Sequence, residues 1–189
     1  MKLYYTTTTG YNAEQPNPER SLGGFKSKTP VSNDDFSNIF DEISLMTMKS
    51  GRDEYRAIVI KNEFDEPCQN ITIKISREEH AICSYKMAVG EMNIVNKYNQ
   101  KSMENVIAPT NKPFRAKFID MTDDAILEIG NLEAGGEIGL WICRHVDTDK
   151  AKEQYNLVCE PDPADPTGRR YKPVTHPMQE SVNVIIDWE

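Results

Sequence analysis

Nucleophilic catalysis by a serine or a cysteine needs a histidine beside it, and this chain of 189 residues has three: His80, His145 and His176. His80 sits in the polar run "REEHA" and His176 in a proline-rich loop. His145 is the best placed, near Cys143 at the end of an apolar run, yet a strand-end histidine is ordinarily structural. No GxSxG, HExxH, P-loop or GxGxxG pattern occurs. The cysteines Cys68, Cys83, Cys143 and Cys159 form no CxxC or CxxH pair, so no spacing supports a zinc site. Cys83, Cys143 and Cys159 lie in apolar, strand-like contexts and read as reduced core or sheet residues. Asp123–Asp124 and Asp162–Asp165 offer oxygen ligands for calcium but lack the EF-hand spacing, and turn chemistry explains them as well. Asn70-Ile71-Thr72 is formally a glycosylation sequon, but it lies within a strand pattern and is set aside. The sequence therefore reads as a protein with no catalytic residue, no cofactor and no metal: not an enzyme.

Charge narrows the partners. The net charge is −8, and residues 120–165 hold twelve acidic side chains against Arg144, Lys150 and Lys152. Such a surface repels phosphate backbones, so nucleic acid is not an expected partner. The acidic run reads either as a solvated face or as a docking patch. No apolar run approaches the ~18–20 residues a membrane span needs, and "KLYYTTTTG" after Met1 lacks the apolar core of a secretion signal. A protein made in the cytoplasm, away from membranes, is expected.

The elements that must carry these residues are strands. "NITIKIS" puts Ile71, Ile73 and Ile75 on one face; "PFRAKFID" would put Phe114, Ala116 and Phe118 inward; "SVNVIIDWE" aligns Val182, Val184, Ile186 and Trp188. "EYRAIVIKN" is apolar throughout and predicts a central strand covered on both faces. "ICSYKMAV", "AILEIGNL", "EIGLWICRHV" and "YNLVC" complete about eight strands, separated by turn signals such as "NEFDEP", "EAGG" and "PADPTG". The fold class this predicts is all-β. It would be an antiparallel β-sandwich, Ig-like or jelly-roll, of about 7–9 strands over residues 51–189. Two long loops, 90–113 and 160–180, stand out as functional or disordered.

The first fifty residues differ. A short helix is predicted within "SNDDFSNIFDEISLM", with Ser32 or Asn33 as cap and Phe36, Ile39, Phe40 and Ile43 at helical spacing. It belongs to a helix and connector over 33–50. Residues 1–32 read as an extended arm, since Pro16, Pro18, Gly23 and Gly24 exclude a helix or central strand. The arm would lie along a neighbour or along its own sheet. The candidate partner-docking residues are Tyr4, Tyr5, Tyr11, Leu22, Gly23, Gly24 and Phe25, with Gly23–Gly24 as an elbow.

In collinear order, "NPERSLGG", "SNIFDEIS" and "SGRDEYRAIVIKN" resemble a family of small virion structural proteins of tailed bacteriophages. The matching positions are Ser21 to Gly24, Asn38 to Asp41, Glu54 to Arg56, and Asn62. Ile129 to Leu132 and Leu140, Trp141 and Arg144 are similar to the family's Ile-Gly-x-Leu turn and aliphatic-Trp-x-x-Arg strand. The likeness spans about residues 17–146. "LMTMKS" replaces a more acidic, alanine-rich linker, and residues 77–113 and those after Asp147 find no clear counterpart. The resemblance implies a non-enzymatic structural subunit of a virion, foremost an auxiliary, decoration-type capsid protein. Its partners would be other virion subunits and repeated copies of itself, docked through the arm and long loops. A neck or tail protein of the same virion is the second expectation. A carbohydrate-binding β-sandwich module, using tyrosines such as Tyr98 and Tyr171 or Trp141 and Trp188, is the alternative from another class.

Overall fold

The computed structural model describes residues 1–32, 38–77, 81–155, 157, 159–173, 178, 180 and 182–189. In chain order the elements are β1 (Lys2–Thr7), β2 (Phe25–Pro30), α1 (Leu45–Ser50), β3 (Asp53–Lys61), β4 (Cys68–Arg77), β5 (Cys83–Gly90), β6 (Ile94–Val95) and β7 (Lys101–Ser102). Then follow β8 (Ile119–Met121), β9 (Leu127–Leu132), β10 (Glu137–Val146), α2 (Thr148–Gln154), β11 (Cys159–Pro161), β12 (Tyr171–Pro173) and β13 (Val182–Asp187). Two antiparallel sheets dominate, a six-stranded one ordered β2-β1-β3-β10-β5-β8 and a three-stranded one ordered β13-β4-β9. β6–β7 and β11–β12 are small separate hairpins. This is the expected antiparallel β-sandwich, with two short α-helices among the described residues where one was expected.

β3 is the axis of the large sheet. Val59 pairs with Tyr4 of β1 on one side and with Gly139 of β10 on the other, and every residue from Tyr55 to Ile60 is buried. Its alternation serves two apolar layers. Ile58 and Ile60 join Leu140 and Ile142 of β10, Met87 of β5 and Ile73 and Ile75 of β4 in the core between the sheets. Tyr55 and Ala57 face the other way, with Ala88, Trp141 and Cys143, beneath Met103, Val106, Ala116 and Phe118 of the long loop 91–118. A strand covered on both faces needs apolar residues at every position, which is what its sequence supplies.

The predicted arm is the main departure. Residues 2–7 form β1, inside the large sheet, and residues 25–30 form its edge strand β2. β1 shows no apolar alternation because Thr6 and Thr7 are buried with their hydroxyls satisfied. Thr6 Oγ1 lies 3.1 Å from Ser21 Oγ and accepts the Gly23 N–H at 2.9 Å. Ser21 fills the gap where β1 peels away from β3: its Oγ accepts from Thr6 N at 2.8 Å and its carbonyl from Ala57 N at 2.7 Å. Polar groups buried in this way are tolerated because each is paired. Residues 12 and 13 then cover the outer edge of β2, through Asn12 N–H to Lys26 O and Lys28 N–H to Ala13 O.

The helix also moves. Part of its predicted span, residues 33–37, lies outside the described residues, and residues 38–44 are not helical. Ile43 instead makes a two-way backbone bridge with Met178, and Phe40 is buried beside the large sheet. The helix starts at Leu45, where the Ser44 hydroxyl accepts from Thr47 N, a standard N-cap. The apolar spacing of Phe40 and Ile43 thus reflects two separate insertions into the core. "PFRAKFID" is likewise shorter as a strand than predicted, with only Ile119–Met121 pairing, to β5. Among the described residues of "YNLVC", Tyr155 caps α2 and Cys159 begins β11.

Candidate functional site

His145 is the natural starting point for chemistry. On β10 it faces Asp53 of β3, Nδ1 to Oδ1 at 2.6 Å, and Asp53 also lies 3.4 Å from the Tyr55 hydroxyl. Cys143, two residues back on the same side, is buried, and burial pushes its thiol up to about 11. It is therefore a neutral thiol at physiological pH and a poor nucleophile. His80 and His176 lie outside the described residues. Asp162 and Asp165 act as turn residues: Asp162 Oδ1 accepts from Ala164 N, and Asp165 from the N–H groups of Thr167, Arg169 and Arg170. Among the described residues no group of three histidine, cysteine or acidic side chains is placed to hold a metal ion.

The motif residues noted in the sequence do converge, and on structure. Arg56 and Arg144 come from adjacent strands and are only 2% and 3% exposed. Arg144 Nη2 donates to Glu54 Oε2 at 2.6 Å and its Nη1 to the Asp41 carbonyl at 2.8 Å. Arg56 reaches the Asp41 carboxylate at 3.4 Å and the Tyr55 carbonyl at 3.1 Å. The Phe40 ring covers both guanidinium groups, at 4.7 Å from Arg144 and 5.4 Å from Arg56, a desolvated cation–π arrangement. Burial raises the Asp41 pKa, with Glu19 adding to it, and burial lowers that of Arg56. The Phe-Asp, Glu-Tyr-Arg and Trp-x-x-Arg elements are therefore one knot that ties residues 38–41 to the large sheet.

Asn62 plays a similar part at the other end of β3. Fully buried, its amide donates to the carbonyls of Glu66, Leu132 and Glu133, and its Oδ1 accepts from Phe64 N at 2.9 Å. It fixes the turn that holds Phe64 47% exposed, 5.9 Å from the ring of Trp188, itself 43% exposed.

The predicted docking residues are turned inward. Tyr4, Tyr5, Gly23 and Gly24 are buried, and Tyr11, Leu22 and Phe25 half-buried. The Tyr4 phenol donates to Glu63, that of Tyr11 to Glu137 and that of Tyr5 to the Asn38 carbonyl. Burial first, then these carboxylates, push Tyr4 and Tyr11 up to about 12. The Lys26 ammonium lies 4.5 Å and 5.3 Å from their rings. Gly23 and Gly24 are a crossing point rather than an elbow. Gly23, at φ +96, pairs with Asn105, and a Cβ on it would sit 2.0 Å from the Glu104 carbonyl oxygen.

What the sequence did not reveal is the surface of loop 91–118. Its backbone is pinned: Met103 N donates to Gly24 O, Val106 N to Leu22 O, and Pro109 O accepts from Tyr55 N. Between and beyond these points Ile107 stands 91% exposed and Phe114 93% exposed. Phe114 was expected inside. It points out because the Glu104 carboxylate clamps its turn, Oε1 accepting from Phe114 N at 2.8 Å and Oε2 from Arg115 N at 2.9 Å. The alternation still holds for Ala116 and Phe118, which pack on the second apolar layer. The loop carries Lys97, Lys101, Lys112, Arg115 and Lys117 against Glu91 and Glu104, a basic island on an acidic chain. Next to it a cleft of about 220 Å³ opens between Trp141, Gly90, Glu104, Arg115 and Lys117. No protein-family model matches the sequence, and no significant match was found among curated proteins or solved structures.

Proposed function

We propose that this chain is a non-enzymatic structural subunit of a tailed-phage virion, foremost an auxiliary capsid protein, that docks through loop 91–118 rather than through its N-terminal segment. The observation that carries the docking half is Phe114, held 93% exposed by a bidentate backbone clamp. A large apolar side chain displayed on a fixed turn has the character of an interface anchor: its burial is favourable and little ordering entropy is lost on binding. Lys112, Arg115 and Lys117 around it favour an acidic partner surface. The virion half rests on the collinear resemblance of residues 17–146, and a neck or tail position is the second reading within it.

The test is co-sedimentation with DNA-free heads and with isolated tails, read as copies bound per particle by quantitative mass spectrometry. Wild-type protein is expected on heads in many copies, and Phe114→Asp is expected to lose binding while keeping its fold. Sedimentation with tails alone would transfer the chain to the neck or tail. Binding to neither particle would overturn the proposal.

A further inference from the structure

The aromatic pair at the far end of β3 has the complementary character to Phe114. Phe64 and Trp188 wall a cleft of about 420 Å³, whose floor includes Pro67 and Cys68 and whose rim carries Asp65, Glu66 and Glu189. Both walls are held in place. Asn62 fixes the Phe64 turn, and Trp188 is flanked by the two-way backbone pairing of Gln69 with Glu189. Among the described residues none of the three rim carboxylates forms an ion pair, and neither do Lys112, Arg115 or Lys117 around Phe114. One chain thus carries both an exposed apolar knob beside three cations outside any ion pair and an aromatic cleft rimmed by three carboxylates outside any ion pair. Lys112 nonetheless lies over the Phe118 ring, Glu189 accepts from the Asn70 amide, and Glu104 binds the backbone at the base of the knob. Knob and cleft cannot meet within one molecule. The knob rides on the loop over the outer face of the large sheet, and the cleft lies at the β4–β13 end of the small sheet, across the core.

We infer that the occupant of the Phe64–Trp188 cleft is Phe114 of a second copy of this chain, giving a head-to-tail contact. The inference rests on the reading that the protein works in repeated copies. Each copy keeps one free knob and one free cleft, so the contact is not self-complementary. It propagates into rings or open rows instead of stopping at a two-fold dimer. A single anchor with a charged rim is smaller than a standard stable interface, so association is weak in isolation, salt-sensitive, and strengthened where copies are held side by side.

The full chain is examined by sedimentation velocity from micromolar to millimolar concentration at low salt. Three proteins are compared: wild type, Phe114→Asp, and Asp65→Lys/Glu66→Lys, the last replacing only exposed rim residues. Wild type is expected to form a concentration-dependent series of oligomers. Each variant alone should be weakened by roughly tenfold or more. The equimolar mixture of the two variants should recover one-to-one dimers and nothing larger, since it restores a single knob–cleft pair. A wild type that stays monomeric throughout, variants that associate like wild type, or a mixture that stays monomeric would each overturn the inference. A monomeric wild type that still binds particles would leave the docking reading standing while removing this one.

Discussion

The Glu54 carboxylate meets the Arg144 guanidinium across the β3–β10 pair at 2.6 Å, and both side chains are largely withdrawn from water. Removing one partner of such a pair leaves an uncompensated buried charge, which costs about 3–5 kcal/mol. Arg144→Leu or Glu54→Leu alone is therefore expected to lower unfolding free energy by that amount in urea titrations. The double change to leucine and methionine should recover most of it.

Gly23 is the point where three backbones meet. A Cβ there meets the Glu104 carbonyl oxygen at 2.0 Å and Asn105 Cα at 2.8 Å, at a positive φ. The conformational term of about 1–2 kcal/mol and the overpacking term of about 1–3 kcal/mol act together. Gly23→Ala should therefore lose several kcal/mol of stability, visible as a large drop in Tm.

Residues 1–30 hold two of the six strands of the large sheet. Deleting them exposes the edge of β3 and the apolar surface that Leu3, Tyr4 and Tyr5 cover. The truncated chain is expected to lose its cooperative thermal transition; an intact, sharp transition would show that the segment is dispensable to the fold.

All four thiols are free, and Cys68, Cys83 and Cys143 are buried. Burial, with Glu180 nearby, raises the Cys83 thiol far above its usual range. Only Cys159 is expected to react promptly with a thiol reagent in the native protein, with all four reacting after denaturation. Rapid reaction at Cys143 would contradict the sealed second layer beneath the loop.

Asp147 caps α2, accepting from the N–H groups of Lys150 and Asp149, which lowers its pKa below the ordinary 3.8. A lowered folded-state pKa means the cap stabilises fully above the unfolded-state value and loses this as pH falls through the folded-state value. Asp147→Ala should cost about 1 kcal/mol at neutral pH, with the difference from wild type fading in acid. Asp147→Asn should keep the cap and flatten that pH dependence.

β3, β4, β5, β9, β10 and β13 were legible because each carries its own pattern: alternation where one face is covered, continuous apolarity in β3 where both are. β1 was not, because the burial of Thr6 and Thr7 depends on Ser21 and Gly23, partners that no local periodicity announces. Phe40 and Ile43 mimicked a helix because two unrelated core insertions fell four and seven residues after Phe36. The motif positions were legible as a set, but their role was not. A Phe-Asp pair and two arginines reveal a buried knot only when their strands lie side by side. The most exposed aromatic among the described residues, Phe114, was hidden by a carboxylate ten residues away that turns it outward.

The splice at Ser21 also sets an order of events for a chain leaving the ribosome. Tyr4 waits for Val59, Val59 for Gly139, and the Ser21–Gly24 crossing for Met103 to Val106. β1 can pair locally with β2, but its other edge and the Ser21–Gly24 crossing close only over long separations, which is expected to slow folding. Before β10 is made, β2, β1 and β3 can pair with one another, but β3 lacks its second neighbour. The complete six-stranded sheet is therefore expected to seal only once β10 is present.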